Sequence, residues 1–172
     1  GEIWISGPSV AQGYWNKAEA TRDTFQAKIR NSAEGPFLRT GDLGFLRDGD
    51  LFITGRIKDL IIIHGQNYYP NDVEYTAEYS NANLRKGCSA AFSVEADGQE
   101  KLAIVCEIRK KGKKAELKDI ATSIHRAVLE RLGITAFHIV LIKAKTIPKT
   151  TSGKIQRKKC KMLLLNNSLD TI

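Results

Sequence analysis

A chain of 172 residues, 42% hydrophobic and 27% charged, has the composition of a globular protein and can bury one good core or two small ones. No apolar run approaches the ~18 residues of a membrane-spanning helix, which excludes such a span, and no basic-then-apolar leader suggests a signal peptide. The net charge of +8 is lopsided: residues 1–108 hold 11 Lys+Arg against 15 Asp+Glu, residues 109–161 hold 16 against 3, and the rest add one negative charge.

In chain order, Gly1–Ile5 reads as the middle of a strand, so the chain is expected to be part of a longer protein. Asn16–Ile29 reads as a short helix capped by Asn16 or Thr21. Phe45–Leu46 and Leu51–Thr54 flank Arg47–Asp48–Gly49–Asp50, a hairpin turn with glycine where a positive φ is needed. Residues 1–57 are therefore β-rich. From Asp59 the pattern changes. Leu60–Ile63 is a short apolar strand ending at His64–Gly65, and Pro70 opens a helix to Tyr79. Cys88–Val94 and Lys101–Ile108 are strands joined at Asp97–Gly98. In Glu116–Leu132, Leu117, Ile120, Ile124, Val128 and Leu132 recur at helical steps, and Gly133 stops the helix. His138–Ile142 is a last strand, and a helix from about Lys154 to Leu165 follows. Arg109–Lys114, with Gly112 inside it, reads as a basic loop. The boundary falls near Lys58, and the β-α-β-β-α-β order after it makes a small α+β domain.

Three cysteines (Cys88, Cys106, Cys160) are odd in number and far apart, and the three histidines show no ligand spacing, so a reduced, cytoplasmic, zinc-free protein is expected. Cys88 and Cys106 read as small core residues. The basic stretch 109–161 suits an acidic protein partner, an anionic membrane or simple solvation. Nucleic acid is not expected, because there is no zinc-finger spacing, no RNP-like strand and no basic helix leading into heptads.

Four segments bear on chemistry. In Arg39–Thr40–Gly41–Asp42–Leu43 a carboxylate enters a strand from a polar turn. Alone it reads as a turn stabiliser, yet it could accept two hydrogen bonds from a vicinal diol such as a ribose. Arg56 follows 14 residues later; alone it reads as half of a surface ion pair, yet its planar fork suits phosphate or ribose oxygens. In Pro148–Lys149–Thr150–Thr151–Ser152–Gly153–Lys154–Ile155–Gln156–Arg157 a proline leads a polar turn that presents Lys154. That residue is either one more solvated lysine or a cation that lets a carboxylate approach a phosphate. A nucleotide P-loop is excluded, because it would need glycine at Pro148 and a hydroxyl residue at Ile155.

Together, Gly1–Trp15, Phe37–Leu43, Gly55–Glu74 and Pro148–Arg157 resemble, in order, successive segments of the adenylate-forming enzymes: acyl-CoA synthetases, adenylation domains and luciferases. The resemblance covers essentially the whole chain. It implies an α+β fold in which residues 1–57 are the β-rich hairpin or barrel edge ending a large adenylation domain, and residues 58–172 are a small, mobile βαββαβ-like C-terminal lid. It implies that Lys154 is the catalytic lysine, that Asp42 binds ribose, that Arg56 contacts ribose and phosphate, that Ile53 lies near adenine, and that Lys58 is the hinge. ATP and Mg2+ are implied, the metal ligands lying outside this chain. Asn67–Glu74, Cys88–Val94 and Ser152–Cys160 look most like fatty acyl-AMP ligases, which implies fatty acid and ATP as substrates and an acyl carrier protein as acceptor. Tyr68 and Tyr69 also read simply as anchors of the helix after them. The rival readings are an acyl-CoA synthetase using coenzyme A, an amino-acid adenylation domain, and a non-catalytic interaction module with a basic face. The chain alone is expected to be inactive.

Overall fold

The computed structural model describes residues 1–109 and 114–172. The basic loop expected around Gly112 lies mostly outside the described residues. The chain divides into two compact units, Gly1–Lys58 and Asp59–Ile172.

In the first unit, β1 (Glu2–Ile5), β2 (Leu38–Arg47) and β3 (Asp50–Arg56) form an open antiparallel sheet in the order β1-β2-β3, with no closed barrel among the described residues. Asp48 and Gly49 both take positive φ (53° and 87°), the geometry that lets a two-residue loop follow the right-handed twist of its strands. The helix α1 (Ala18–Phe25) is shorter than the spacing suggests. Asn16 lies outside it at φ 51°, and Lys17 stands at the cap with no side-chain bond. Thr21 turns its hydroxyl to the Tyr14 amide at 2.9 Å instead of capping.

In the second unit, β4 (Ile61–Ile63) and β5 (Gln66–Tyr68) make a small hairpin through His64 and Gly65, both at positive φ. Next come α2 (Pro70–Tyr79), β6 (Leu84–Ala96), β7 (Gln99–Ile108), α3 (Lys114–Leu132), β8 (Ala136–Ile142) and α4 (Arg157–Leu165). The strand β5 is an addition to the expected order, and α4 begins three residues later than the local sequence suggests. β6 and β7 pair antiparallel, whereas β7 and β8 pair parallel, the connection between them running through α3.

This three-stranded sheet is covered on both faces, and β7 runs apolar and buried without a break from Leu102 to Cys106. Its alternate residues Leu102, Ile104, Cys106 and Ile108 join a core with Val73 and Ala77 of α2 and Ile120, Ile124 and Val128 of α3. The intervening Ala103 and Val105 join a second core with Cys88, Ala90, Phe92, Ile147 and Cys160, against which Ile155 and Leu164 pack. The segment carrying Lys154 is thus seated on the face opposite α2 and α3.

All three cysteines are free and buried. Burial pushes the Cys106 thiol up to about 12 and Cys160 up to about 11, as befits inert core residues.

Candidate functional site

In the first unit the antiparallel register sets Asp42 opposite Arg56, and Arg56 Nε donates to Asp42 Oδ1 at 2.7 Å. Arg56 Nη2 also donates to the Thr40 carbonyl at 3.2 Å, and the Asp42 amide donates to Thr40 Oγ1 at 3.0 Å. The turn before Asp42 is held from β1: Glu2 accepts from the Gly41 amide at 3.2 Å and pairs with Arg39 at 2.9 Å. Burial alone would raise the Glu2 pKa, but hydrogen bonds from Trp4 and Arg39, the Arg39 charge and the Gly41 amide hold it below the ordinary range.

The carboxylate and guanidinium therefore form a partly exposed pair, with side-chain exposures of 36% and 62%. One oxygen of Asp42 makes no hydrogen bond among the described residues. The pair can offer an acceptor and a planar donor fork to one polar ligand. Ile53, opposite Gly44 in the same sheet, is exposed. Lys58 closes the first unit inside the short 3-10 turn Ile57–Asp59 and is solvent-exposed.

In the second unit Lys154 sits on a tight hairpin. Lys149 pairs with Ile155, the Thr150 amide donates to the Lys154 carbonyl at 2.8 Å, and the Gly153 amide donates to the Thr150 carbonyl at 2.9 Å. Gly153 takes φ +82°, a conformation L side chains rarely adopt. Thr150 Oγ1 accepts from the Lys154 amide at 3.0 Å, and Gln156 ties back to Pro148 and Lys149 through its amide and its side chain. Lys154 is exposed, and its ammonium has no hydrogen bond or ion pair among the described residues. A free cation on a braced backbone is the arrangement needed to meet an anionic ligand.

The hairpin is anchored by a residue to which sequence reasoning assigned no role. Arg157 opens α4 and forks onto Glu74 of α2, Nε to Oε1 at 2.6 Å and Nη2 to Oε2 at 2.7 Å. It also reaches Asn71 Oδ1 at 2.5 Å and Asp59 Oδ2 at 3.3 Å. Burial pushes the Glu74 carboxyl above its usual range; Arg157 and the Ala91 amide oppose that shift without cancelling it. The Glu74 bonds are the main cause that raises Arg157 in turn. The available signal was a carboxylate on the side of α2 that packs inward. No group of His, Cys, Asp and Glu suited to a metal ion occurs among the described residues.

Residues 58–172 match the family model described as Disco-interacting protein 2-like, AMP domain. The chain belongs to this family. It falls within the adenylate-forming superfamily, as the order of its motifs indicates. It is 50% identical over 171 residues to the medium-chain-fatty-acid–[acyl-carrier-protein] ligase JamA of Moorena producens, covering 99% of this chain and 29% of that protein. It is 40% identical over 199 residues to the long-chain-fatty-acid–AMP ligase of Mycolicibacterium smegmatis, covering 98% of this chain and 32% of that one. The structure of McyG A-PCP complexed with phenylalanyl-adenylate superposes with a TM-score of 0.79 at 31% identity, covering 96% of this chain and 28% of that one. The chain thus spans about a third or less of the relatives it matches.

Proposed function

We propose that this chain is the C-terminal part of a fatty acyl-AMP ligase. The observation that carries this reading is the 50% identity to the JamA ligase across 99% of the chain, with the Lys154 hairpin and the Asp42–Arg56 pair both formed. The whole enzyme activates a fatty acid with ATP to acyl-AMP and pyrophosphate, then passes the acyl group to the thiol of an acyl carrier protein. It works in the cytoplasm, in keeping with three free, buried cysteines.

In this reading the fatty-acid carboxylate attacks the α-phosphorus and pyrophosphate leaves. The Lys154 ammonium lies between the two anions, offsets their repulsion and stabilises the charge that develops. The free oxygen of Asp42 accepts from the ribose hydroxyls, Arg56 spans ribose and phosphate, and Ile53 covers the adenine. Residues 1–57 complete the larger adenylation domain, and residues 58–172 form a lid that turns about Lys58 between half-reactions. Mg2+ accompanies the phosphates, and its protein ligands are assigned to the part of the protein outside this chain.

The test uses the full-length protein with labelled dodecanoate, ATP and Mg2+, with and without coenzyme A. Acyl-AMP that persists when coenzyme A is added supports the reading. Conversion to acyl-CoA overturns the choice of acceptor, and absence of both products overturns the substrate class.

A further inference from the structure

On the face of the sheet that carries the Lys154 hairpin, a cavity of about 300 Å³ is lined by Arg85, Cys88, Glu107, Lys145, Ile147 and Lys149. Three cations and one carboxylate meet there, and the carboxylate is already committed. Glu107 is 1% exposed; one oxygen accepts from Arg85 Nη1 at 2.5 Å and the other from the Ile147 amide at 2.8 Å. The amides of Lys145 and Thr146 add to this nest. With Arg85 and Glu107 neutralising each other, Lys145 and Lys149 add two positive charges to the residues lining one concave space.

The cations also retain donors. Arg85 uses one nitrogen on Glu107 and has no other hydrogen bond among the described residues. Lys149 Nζ donates to the Gly87 carbonyl at 2.8 Å and approaches Cys88 Sγ at 3.4 Å, which fixes it at the cavity wall with a proton to spare. The Lys145 ammonium has no partner among the described residues. A guanidinium fork and two lysines lining one small space suit tetrahedral oxyanions. A phosphate group carries about −1.5 to −2 at neutral pH and balances the two uncompensated charges, which a single carboxylate does not.

We propose that this cavity binds a phosphate group, carried by free orthophosphate or by a small phosphate monoester. Arg85, Lys145 and Lys149 supply the donors, and Glu107 fixes the turn that places them. The site is separate from the exposed ammonium of Lys154 and is independent of the reaction proposed above. Because Lys149 lies on the same hairpin as Lys154, an occupant would brace that hairpin at its base.

The 15N-labelled 172-residue chain would be titrated with orthophosphate and with glycerol 3-phosphate at constant ionic strength. Saturable shifts confined to the amides of Gly87, Ile147 and Lys149 are expected. Binding by orthophosphate identifies the phosphate group alone as sufficient; binding by the monoester only assigns part of the affinity to the ester. Lys145→Gln and Lys149→Gln should each weaken binding about tenfold, the order expected for removing one unit charge a few ångströms from a dianion near water. Lys118→Gln on α3 should leave it unchanged. Shifts that rise without saturation, that spread over all basic segments, or that fall equally in the Lys118 variant would overturn the proposal. No enzymatic readout enters, so failure here leaves the acyl-AMP ligase reading intact, and the reverse also holds.

Discussion

Arg157→Met removes the guanidinium that joins the Lys154 hairpin to α2 while keeping much of the apolar stem. Glu74 is 9% exposed and the Arg157 side chain 20%, so the substitution strands a carboxylate out of water. Breaking a buried pair from one side costs about 3–5 kcal/mol. The residual exposure of Arg157, and the ability of Glu74 to take up a proton, reduce this to about 2–4 kcal/mol. Both tryptophans, Trp4 and Trp15, lie in the first unit, whereas α2, α3 and α4 lie in the second. In urea, the far-UV circular dichroism transition should therefore move to lower denaturant while tryptophan fluorescence stays in place. The pH dependence has a definite sign. Burial already raises the Glu74 pKa above the usual carboxylate range, and losing Arg157 raises it further. The cost is therefore full above the raised value and shrinks in acid, where Glu74 is neutral in both proteins. Glu74→Gln in the Arg157→Met background should recover about 1–2 kcal/mol, because an amide can still accept from the Ala91 amide without stranding a charge. An unmoved dichroism transition, or a double variant no more stable than Arg157→Met, would refute the reasoning.

On the proposed reading, Lys154→Ala in the full-length protein should lower acyl-AMP formation about 100- to 1,000-fold with folding unchanged, because the ammonium has no partner among the described residues to lose; quenched-flow measurement of acyl-AMP checks it. Glu107→Gln should cost about 1–3 kcal/mol at neutral pH. Burial alone would raise the Glu107 pKa, but the amides of Ile147 and Lys145, the Arg85 charge and the Thr146 amide outweigh it and hold the carboxyl below its usual range. That stability is present above the ordinary carboxylate range and is lost as pH falls through the depressed value, so urea titrations across acid pH should show a flatter acid limb in the variant. Gly44→Ala should destabilise the first unit by about 1–3 kcal/mol, read by tryptophan fluorescence, since a Cβ there would meet the Phe52 carbonyl at 2.6 Å and Ile3 Cδ1 at 2.9 Å. On the same reading, Asp42→Asn should weaken ATP binding to the full-length protein about tenfold, the size of one charge-assisted hydrogen bond, as measured by calorimetry.

The parts of the molecule legible in one dimension are those with strong periodicity or turn chemistry. The steps from Leu117 to Leu132 mark α3, the short apolar run before Glu107 marks β7, and Asp48–Gly49 and Asp97–Gly98 mark hairpins whose residues take the positive φ these turns demand. What escaped depends on partners far along the chain. β5 holds Gln66, Asn67 and Tyr68, with one apolar residue among three, and exists because Ile61–Ile63 pairs with it across His64–Gly65. Gly153–Lys154–Ile155–Gln156–Arg157 looks like a helix start, yet Ile155 returns to Lys149 and the Gln156 amide to the Pro148 carbonyl, so tertiary pairing overrides local propensity until Arg157. The same contrast separates the proposed site residues from those that support them. Asp42, Arg56 and Lys154 stand out because a polar turn or a glycine accompanies each. Glu74, Glu107 and Arg157 look like stray charges in apolar or basic stretches, because their partners lie 83 residues away for Glu74 and Arg157, and 22 and 40 for Glu107. The carboxylates of Glu74 and Glu107 become recognisable once the β6-β7-β8 sheet has buried its two faces, for a charge in that setting persists only with a fork or a nest of amides to meet it. The position of Lys154 follows from that requirement. Ile147, Ile155 and Cys160 seat the segment on the sheet, Glu107 holds its entry and Arg157 its exit, and of the two lysines between them Lys149 is tied to the Gly87 carbonyl while Lys154 is left facing water.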